Sequence, residues 1–278
     1  MSALLKQPFV ENAFLAGTLI AVIAAVVGYF VVLRAQAFAA HALSHIGFAG
    51  ATFAALVGVN SLLGMSGFTV AAAFGMGAFG RRIRGRDIEI GIVLAFALGL
   101  GVLFLRLYTR SASETVGVLF GSILSVTRTD IAWTVILGFA CLLLLAAIFR
   151  PLLFSSIDPE VAETRGVPIK LLSILFMLLL AVTVAQAIQV VGVLLVFALI
   201  VAPAAIAQHI TRKPFSAIAI SVVFGVAFVW SGLLLAISTG LPASFYISVL
   251  AAVTYFTAVG ASHIVRPHTA GNLEHRCH

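Results

Sequence analysis

The chain has 278 residues, of which 62% are hydrophobic and 9% charged, against roughly 25% charged in an ordinary soluble domain. This composition excludes a water-soluble enzyme or binding module, and it leaves an all-α polytopic integral membrane protein with no polar stretch long enough for a separate soluble domain. The net charge of +7 does not call for nucleic acid, because basic residues flanking membrane spans also set topology.

About 20 apolar residues cross a bilayer as a helix. The start, MSALLKQPFVENAFLAG, reads as a short polar lead into the first span rather than a removed signal. Spans follow at 14–33, 37–57, 61–80, 88–108, 131–150, 170–187, 190–209, 215–238 and 244–264. That gives nine, within one: 115–126 (TVGVLFGSILSV) also fits a re-entrant piece or an extra half-span, and the hairpin from 170 to 209 can be cut differently, so eight spans also fit. The second span holds FAAHALSHIGFAGA. His41 and His45 stand four residues apart, which puts them on one helix face. A titratable group in hydrocarbon is costly and by default marks a functional interior, and neutral imidazoles on one face can ligate one metal ion. Satisfied packing histidines are the bland alternative. Ser44 lies between them, and Thr52 continues their face seven residues beyond His45. The third span, GMSGFTVAAAFGMGAFG, is rich in glycine, as befits close helix packing in a bundle.

The loop 81–89, RRIRGRDIE, sets the orientation. With that loop inside, strict alternation places Arg34, Arg81, Arg82, Arg84, Arg86, Arg150, Arg165, Lys170, Arg212, Lys213, Arg266 and Arg276 inside. Lys6, Arg106, Arg110 and Arg128 fall outside.

Between the fifth and sixth spans lies FRPLLFSSIDPEVAETRGVPIK. Asp158 caps a short helix that Pro159 starts, and Gly166 with Pro168 ends it. One cytoplasmic helix, 159–165, is thus pinned between two spans, either as a plain connector or as a docking helix for a soluble partner. Gln186 and Gln189 read as the caps of a hairpin between the sixth and seventh spans. Pro203 should kink the seventh span. Gly240 and Pro242 break the chain between the last two spans, so these three residues are candidate hinges. Residues 1–265 form one transmembrane domain, and 266–278 read as a disordered cytoplasmic tail carrying His268, His275, Cys277 and His278. Cys141 is mid-span and Cys277 is in the tail, which implies no disulfide framework.

Other chemistries fit less well. HALSH lacks the Glu of HExxH, because Ala42 follows the first histidine. GMSG at 64–67 has the form of a rhomboid-like intramembrane protease motif. The alternation above puts Ser66 at the outer side, a membrane thickness from His209 and His263. A gradient-driven secondary transporter calls for mid-span carboxylates. The nine Asp and Glu fall in loops and termini.

The segments LRAQAFAAHALSHIGFAGA, FGSILSV followed by Asp130, QVVGVLLVFALIVAPAAIA and TGLP at 239–242 together resemble the membrane permease of bacterial zinc and manganese ABC importers, over residues 14–264. The resemblance implies a permease of the type II ABC importer kind, multi-pass in the bacterial plasma membrane, itself no enzyme and with no resident cofactor. It implies transport of Zn2+ or Mn2+ past His41 and His45. It also implies a separate ABC ATPase, an extracytoplasmic metal-binding protein and a second permease copy as partners. No GxxxxGK[ST] occurs in the chain, so ATP hydrolysis falls to another subunit. Glu160, Ala162 and Gly166 keep the spacing of the family's ATPase-docking segment, with Val161 in place of its middle alanine, so the resemblance implies that these residues, with the cap Asp158, couple to the ATPase. Relatives commonly carry Asp where this chain has His41. An imidazole in that place favours zinc over manganese.

Overall fold

The computed structural model describes residues 7–78, 86–108, 123 and 126–265, with side chains over 7–77, 87–108, 123 and 126–260. Among these residues the chain is helical without strands. The helices are α1 (Pro8–Leu33), α2 (Ala37–Val57), α3 (Ser61–Ala78), α4 (Arg86–Leu107), α5 (Arg128–Ile157), α6 (Pro159–Thr164), α7 (Ile169–Val191), α8 (Val193–Ile210), α9 (Pro214–Thr239) and α10 (Ala243–Val265). Eight are long and apolar enough to cross a membrane, α3 is an apolar helix just short of that length, and α6 is the short connector. The nine expected spans therefore each correspond to a helix. The 115–126 segment lies outside the described residues apart from Ile123 and Val126, which are buried. The bulk of the 81–89 loop and the 266–278 tail also lie outside them.

Burial sorts the helices into centre and rim. In α1, α2 and α7 two thirds or more of the apolar window is buried in the protein, against 17% in α4 and 11% in α10. Phe96 of α4, Phe139 of α5 and Phe256 of α10 are accordingly exposed, as suits side chains that meet lipid. The centre splits into two groups: α2 packs with α3, α4, α7 and α8, while α1 packs with α5, α7, α8 and α9. Lipid offers helices no hydrophobic drive to associate, so close van der Waals approach holds them together. Two contacts show it. A Cβ on Gly28 would overlap the Ile200 carbonyl oxygen, so α1 and α8 touch backbone to backbone; Gly50 of α2 and Gly64 of α3 meet each other's carbonyl oxygen in the same way.

α5 departs from the expected 131–150. It opens on a capping box, in which the Thr127 hydroxyl accepts from the Asp130 N–H and the Asp130 carboxylate accepts from the Thr127 N–H. It then runs on through Pro151 to Ile157. Proline removes a backbone donor and crowds the preceding turn. Tertiary contacts hold the last turns in spite of it: Leu152 and Ser155 are buried, and Arg34 donates to Ser155 and Ser156.

The boundary between the sixth and seventh spans is also corrected. Gln186 and Gln189 are not hairpin caps but interior residues of α7. The break is the single residue Gly192, with φ 85° and ψ 160°, a conformation open to glycine alone among common residues. Val191, Gly192 and Val193 are all buried. Irregular backbone in a membrane protein is tolerated where protein covers it. Pro203 stays inside a continuous α8. The α9–α10 break falls where expected: Gly240 closes α9 in the left-handed conformation (φ 74°), and Pro242 precedes α10.

The ends of the bundle are consistent with the basic-residue count. At one end the rings of Phe30, Phe149, Phe176 and Phe215 cluster, with Arg34 above Phe176. This brings together the C-terminal ends of α1 and α5 and the N-terminal ends of α7 and α9. At the other end Asn12 donates to the Val126 carbonyl, Gln189 to Asp130 and Trp230 to Thr18.

Candidate functional site

The imidazoles of His41 and His45 stand one turn apart on α2, with ring centroids 4.7 Å apart and planes at 81°. Both are half-buried. His41 also meets the ring of Phe197, on α8, edge to face at 5.2 Å. α2 is the helix that α3, α4, α7 and α8 all touch, so the pair stands on a central helix of the bundle. At 1.5 Å per residue, His41 and His45 lie about 6 and 12 Å from the start of a helix about 30 Å long. They are thus nearer the α1–α2 turn than the far end.

The centroid separation is short enough for side-chain rotation to bring one nitrogen of each ring onto a common ion, at the roughly 2.0–2.1 Å of a zinc–imidazole bond. Among the described residues no third His, Cys, Asp or Glu joins them. Ser44 is buried and its hydroxyl donates to the Ala40 carbonyl at 3.0 Å. Thr52 donates to the Ala49 carbonyl at 2.9 Å and, seven residues up the helix, lies about 10 Å from His45. Neither extends the donor set. Two imidazoles with open positions suit transient contact with an ion in passage better than a closed four-ligand structural site.

The second element is α6. Asp158 ends α5 and caps α6, its carboxylate accepting from the Val161 N–H at 3.0 Å. Pro159 takes the first helical position. Gly166 turns the chain in the left-handed region (φ 79°), while the Val167 N–H returns to the Ala162 carbonyl at 3.0 Å. Ala162 is wholly buried, and Glu160, Val161, Glu163 and Thr164 face outward. A rigid two-turn knob with an acidic outer face results, anchored through one alanine.

Ser66 lies on α3, which packs on α2 and α7, whereas the His209 ring lies against Tyr255 of α10. The hydrolase arrangement is not assembled around them. Every carboxylate among the described residues sits in the first turn of a helix or in α6 and its cap: Glu11, Asp87, Glu89, Asp130, Asp158, Glu160 and Glu163. Three features carry no simple sequence signal. Phe197 against His41 and Arg34 between helix ends are purely tertiary contacts. The Gln189 to Asp130 bond, 2.8 Å long, joins residues 59 apart. Gly192, by contrast, was visible as the one glycine in an unbroken apolar run.

A bundle of apolar helices, eight of them among the described residues long enough to cross a bilayer, defines a multi-pass membrane protein. The chain belongs to the ABC 3 transport family, whose description matches residues 6–262. It is 29% identical to the manganese transport system membrane protein MntC of Listeria monocytogenes over 93% of this chain and 92% of that one. It is 32% identical to MntC of Halalkalibacterium halodurans over 80% and 77% of the two chains. Among solved structures it is similar to PsaBC from Streptococcus pneumoniae in complex with Fab, with a TM-score of 0.82 and 30% identity over 92% of this chain and 93% of that chain. The protein is thus a permease subunit of an ABC transporter and not itself an enzyme, multi-pass in the bacterial plasma membrane. This family membership sets aside the intramembrane protease and the secondary transporter.

Proposed function

We propose that this permease imports divalent transition-metal ions, with His41 and His45 as the cargo contact inside the bundle. The imidazole pair on α2 carries the reading, supported by relatives named for manganese transport. Residues 1–265 form the membrane domain and 266–278 a cytoplasmic tail. A separate ABC ATPase docks on the outward face of α6, where Glu160 is exposed, while Asp158, the buried Ala162 and Gly166 hold that helix in shape rather than meeting the partner. An extracytoplasmic metal-binding protein delivers the ion, and a second copy of the chain completes the path. No resident cofactor is needed: the metal is cargo.

Neutral imidazoles replace part of the ion's hydration shell, and the open positions keep water on it, so binding is reversible. Movement of α2 against α8 alters the approach of Phe197 to His41 and with it the room for the ion. Pro203, Gly240 and Pro242 are the proposed flexion points. Two imidazoles without a neighbouring carboxylate favour zinc, since oxygen donors suit manganese. The names of the relatives favour manganese as the second reading.

The test is uptake into vesicles holding the permease alone or with its ATPase, with zinc and manganese in competition. ATP-dependent uptake only with the ATPase present, and zinc displacing manganese, is expected. Uptake by the permease alone contradicts the ATP-driven mechanism, and manganese outcompeting zinc contradicts the zinc preference.

A further inference from the structure

α6 and the imidazole pair lie on different helices, yet one side chain links the segments that lead to both. Arg34 caps the C-terminal end of α1. Its Nη1 donates to Ser156 Oγ at 3.1 Å and to Ser155 Oγ at 3.4 Å. Both serine hydroxyls spend their own protons on the Leu152 carbonyl, which leaves their lone pairs for the guanidinium. The guanidinium carbon also stands 5.7 Å from the ring centre of Phe176 on α7. Ser155 and Ser156 occupy the last turn of α5, three and two residues before Asp158, the cap of α6. Phe176 lies on the helix that leaves α6. Arg34 therefore holds both flanks of α6.

On its other side Arg34 leads into α2 without slack. Three residues, Arg34 to Gln36, join α1 to α2. Ala35 is the only non-glycine residue with positive φ among those described, at 53°, a conformation that resists an L-residue with a Cβ. Gln36 is 4% exposed, its N–H bonded to the Val31 carbonyl at 2.8 Å and its carbonyl accepting the Ala40 N–H at 3.1 Å, beside His41. This short turn is exposed at Ala35 and buried at Gln36, strained at Ala35 and held by backbone hydrogen bonds, and such a turn has little slack to absorb a displacement.

We propose that Arg34 is the positioning residue that couples α6 to the imidazole pair. It ties the end of α5 and the start of α7 to the α1–α2 turn, so that movement of α6 shifts the first turns of α2. This rests on the proposed function, in which α6 meets the ATPase and His41 and His45 meet the cargo. Arg34 touches neither ligand; its role is mechanical, and Ser155, Ser156 and Phe176 are its contacts.

The test reconstitutes the full permease with its ATPase in proteoliposomes and measures ATP hydrolysis and uptake of radioactive manganese or zinc side by side. Arg34→Ala keeps assembly and basal ATP hydrolysis within about twofold but lowers ions moved per ATP by about tenfold. The double variant Ser155→Ala/Ser156→Ala, which removes the acceptor hydroxyls without disturbing the helix, reproduces much of that loss. Combined with Arg34→Ala it adds little, as expected for groups acting through one contact. Arg34→Lys, which keeps the cation but not the fork, falls between. Glu160→Arg is run alongside to test docking. If Glu160→Arg uncouples the transporter while Arg34→Ala keeps the parent ratio of ions to ATP, the relay is overturned and the docking reading stands. If Glu160→Arg is itself fully coupled, docking on α6 falls and the relay with it. Hydrolysis and uptake falling in proportion in both the Arg34 and the serine variants assign the cluster to folding alone and also overturn the relay.

Discussion

Replacing Gly28 by alanine tests the packing that positions the site. The added Cβ meets the carbonyl oxygen of Ile200 and, just behind it, the carbonyl carbon, which are backbone atoms of α8 that no side-chain rotation can move aside. α1 and α8 have to separate. Overpacking of this kind costs typically 1–3 kcal/mol, and a backbone obstacle puts Gly28→Ala toward about 3 kcal/mol. Each kcal/mol lowers the midpoint of a large domain by about 2–4 °C, so a fall of about 6–12 °C is expected. The control is Gly67→Ala on α3, where an added Cβ meets nothing within 4 Å. A helical glycine exchanged for alanine gains about 0.5–1 kcal/mol, so that midpoint holds or rises slightly. Thermal unfolding of both variants in the same detergent reads the difference. Ile200 is one turn from Phe197, so Gly28→Ala should also weaken metal binding at the imidazoles. Equal midpoints for the two variants refute the backbone contact between α1 and α8.

Asp158→Ala removes the cap of α6 at a cost of about 1 kcal/mol, and hydrogen exchange over 159–164 should quicken about fivefold while the spans stay protected. Gln189→Leu strips a donor from the Asp130 carboxylate. A cost of about 1–2 kcal/mol is expected, and it should vanish in an Asp130→Ala background, which removes the acceptor, as a double-mutant cycle of unfolding midpoints would read. For orientation, single cysteines replacing Arg84 and Ser111, in a background without Cys141 and Cys277, should react in intact cells with permeant reagents only and with impermeant reagents, respectively. The reverse pattern inverts the topology and places α6 outside.

Much of the fold was legible because bilayer thickness forces long apolar runs, and these stand out in any chain so poor in charge. α6 was legible because its signals are local: Asp158 and Pro159 start it and Gly166 stops it within a few residues. The imidazole pair was legible because spacing of four fixes a shared face. The misses are tertiary. The hydrophobic run alone put the turn between the sixth and seventh spans near the two glutamines, since polar residues in an apolar run look like an interruption. Gln189 is instead satisfied by Asp130 on another helix, and the chain breaks at Gly192, where the dihedrals require it. The fifth span was expected to stop at 150, and Arg34 with the two serines holds α5 beyond Pro151. No local pattern announces that Phe197 closes on His41.

The most direct test of the account is metal uptake by His41→Ala, His45→Ala and His41→Asp in vesicles with the ATPase, with zinc and manganese in competition. Alanine is cheaper than histidine in hydrocarbon, so both alanine variants should insert normally. Each should lose most uptake of both ions. His41→Asp supplies an oxygen donor and a negative charge beside His45, and should keep transport while raising manganese uptake relative to zinc. Normal transport by both alanine variants would contradict the account, making His41 and His45 packing residues and placing the cargo path elsewhere in the bundle.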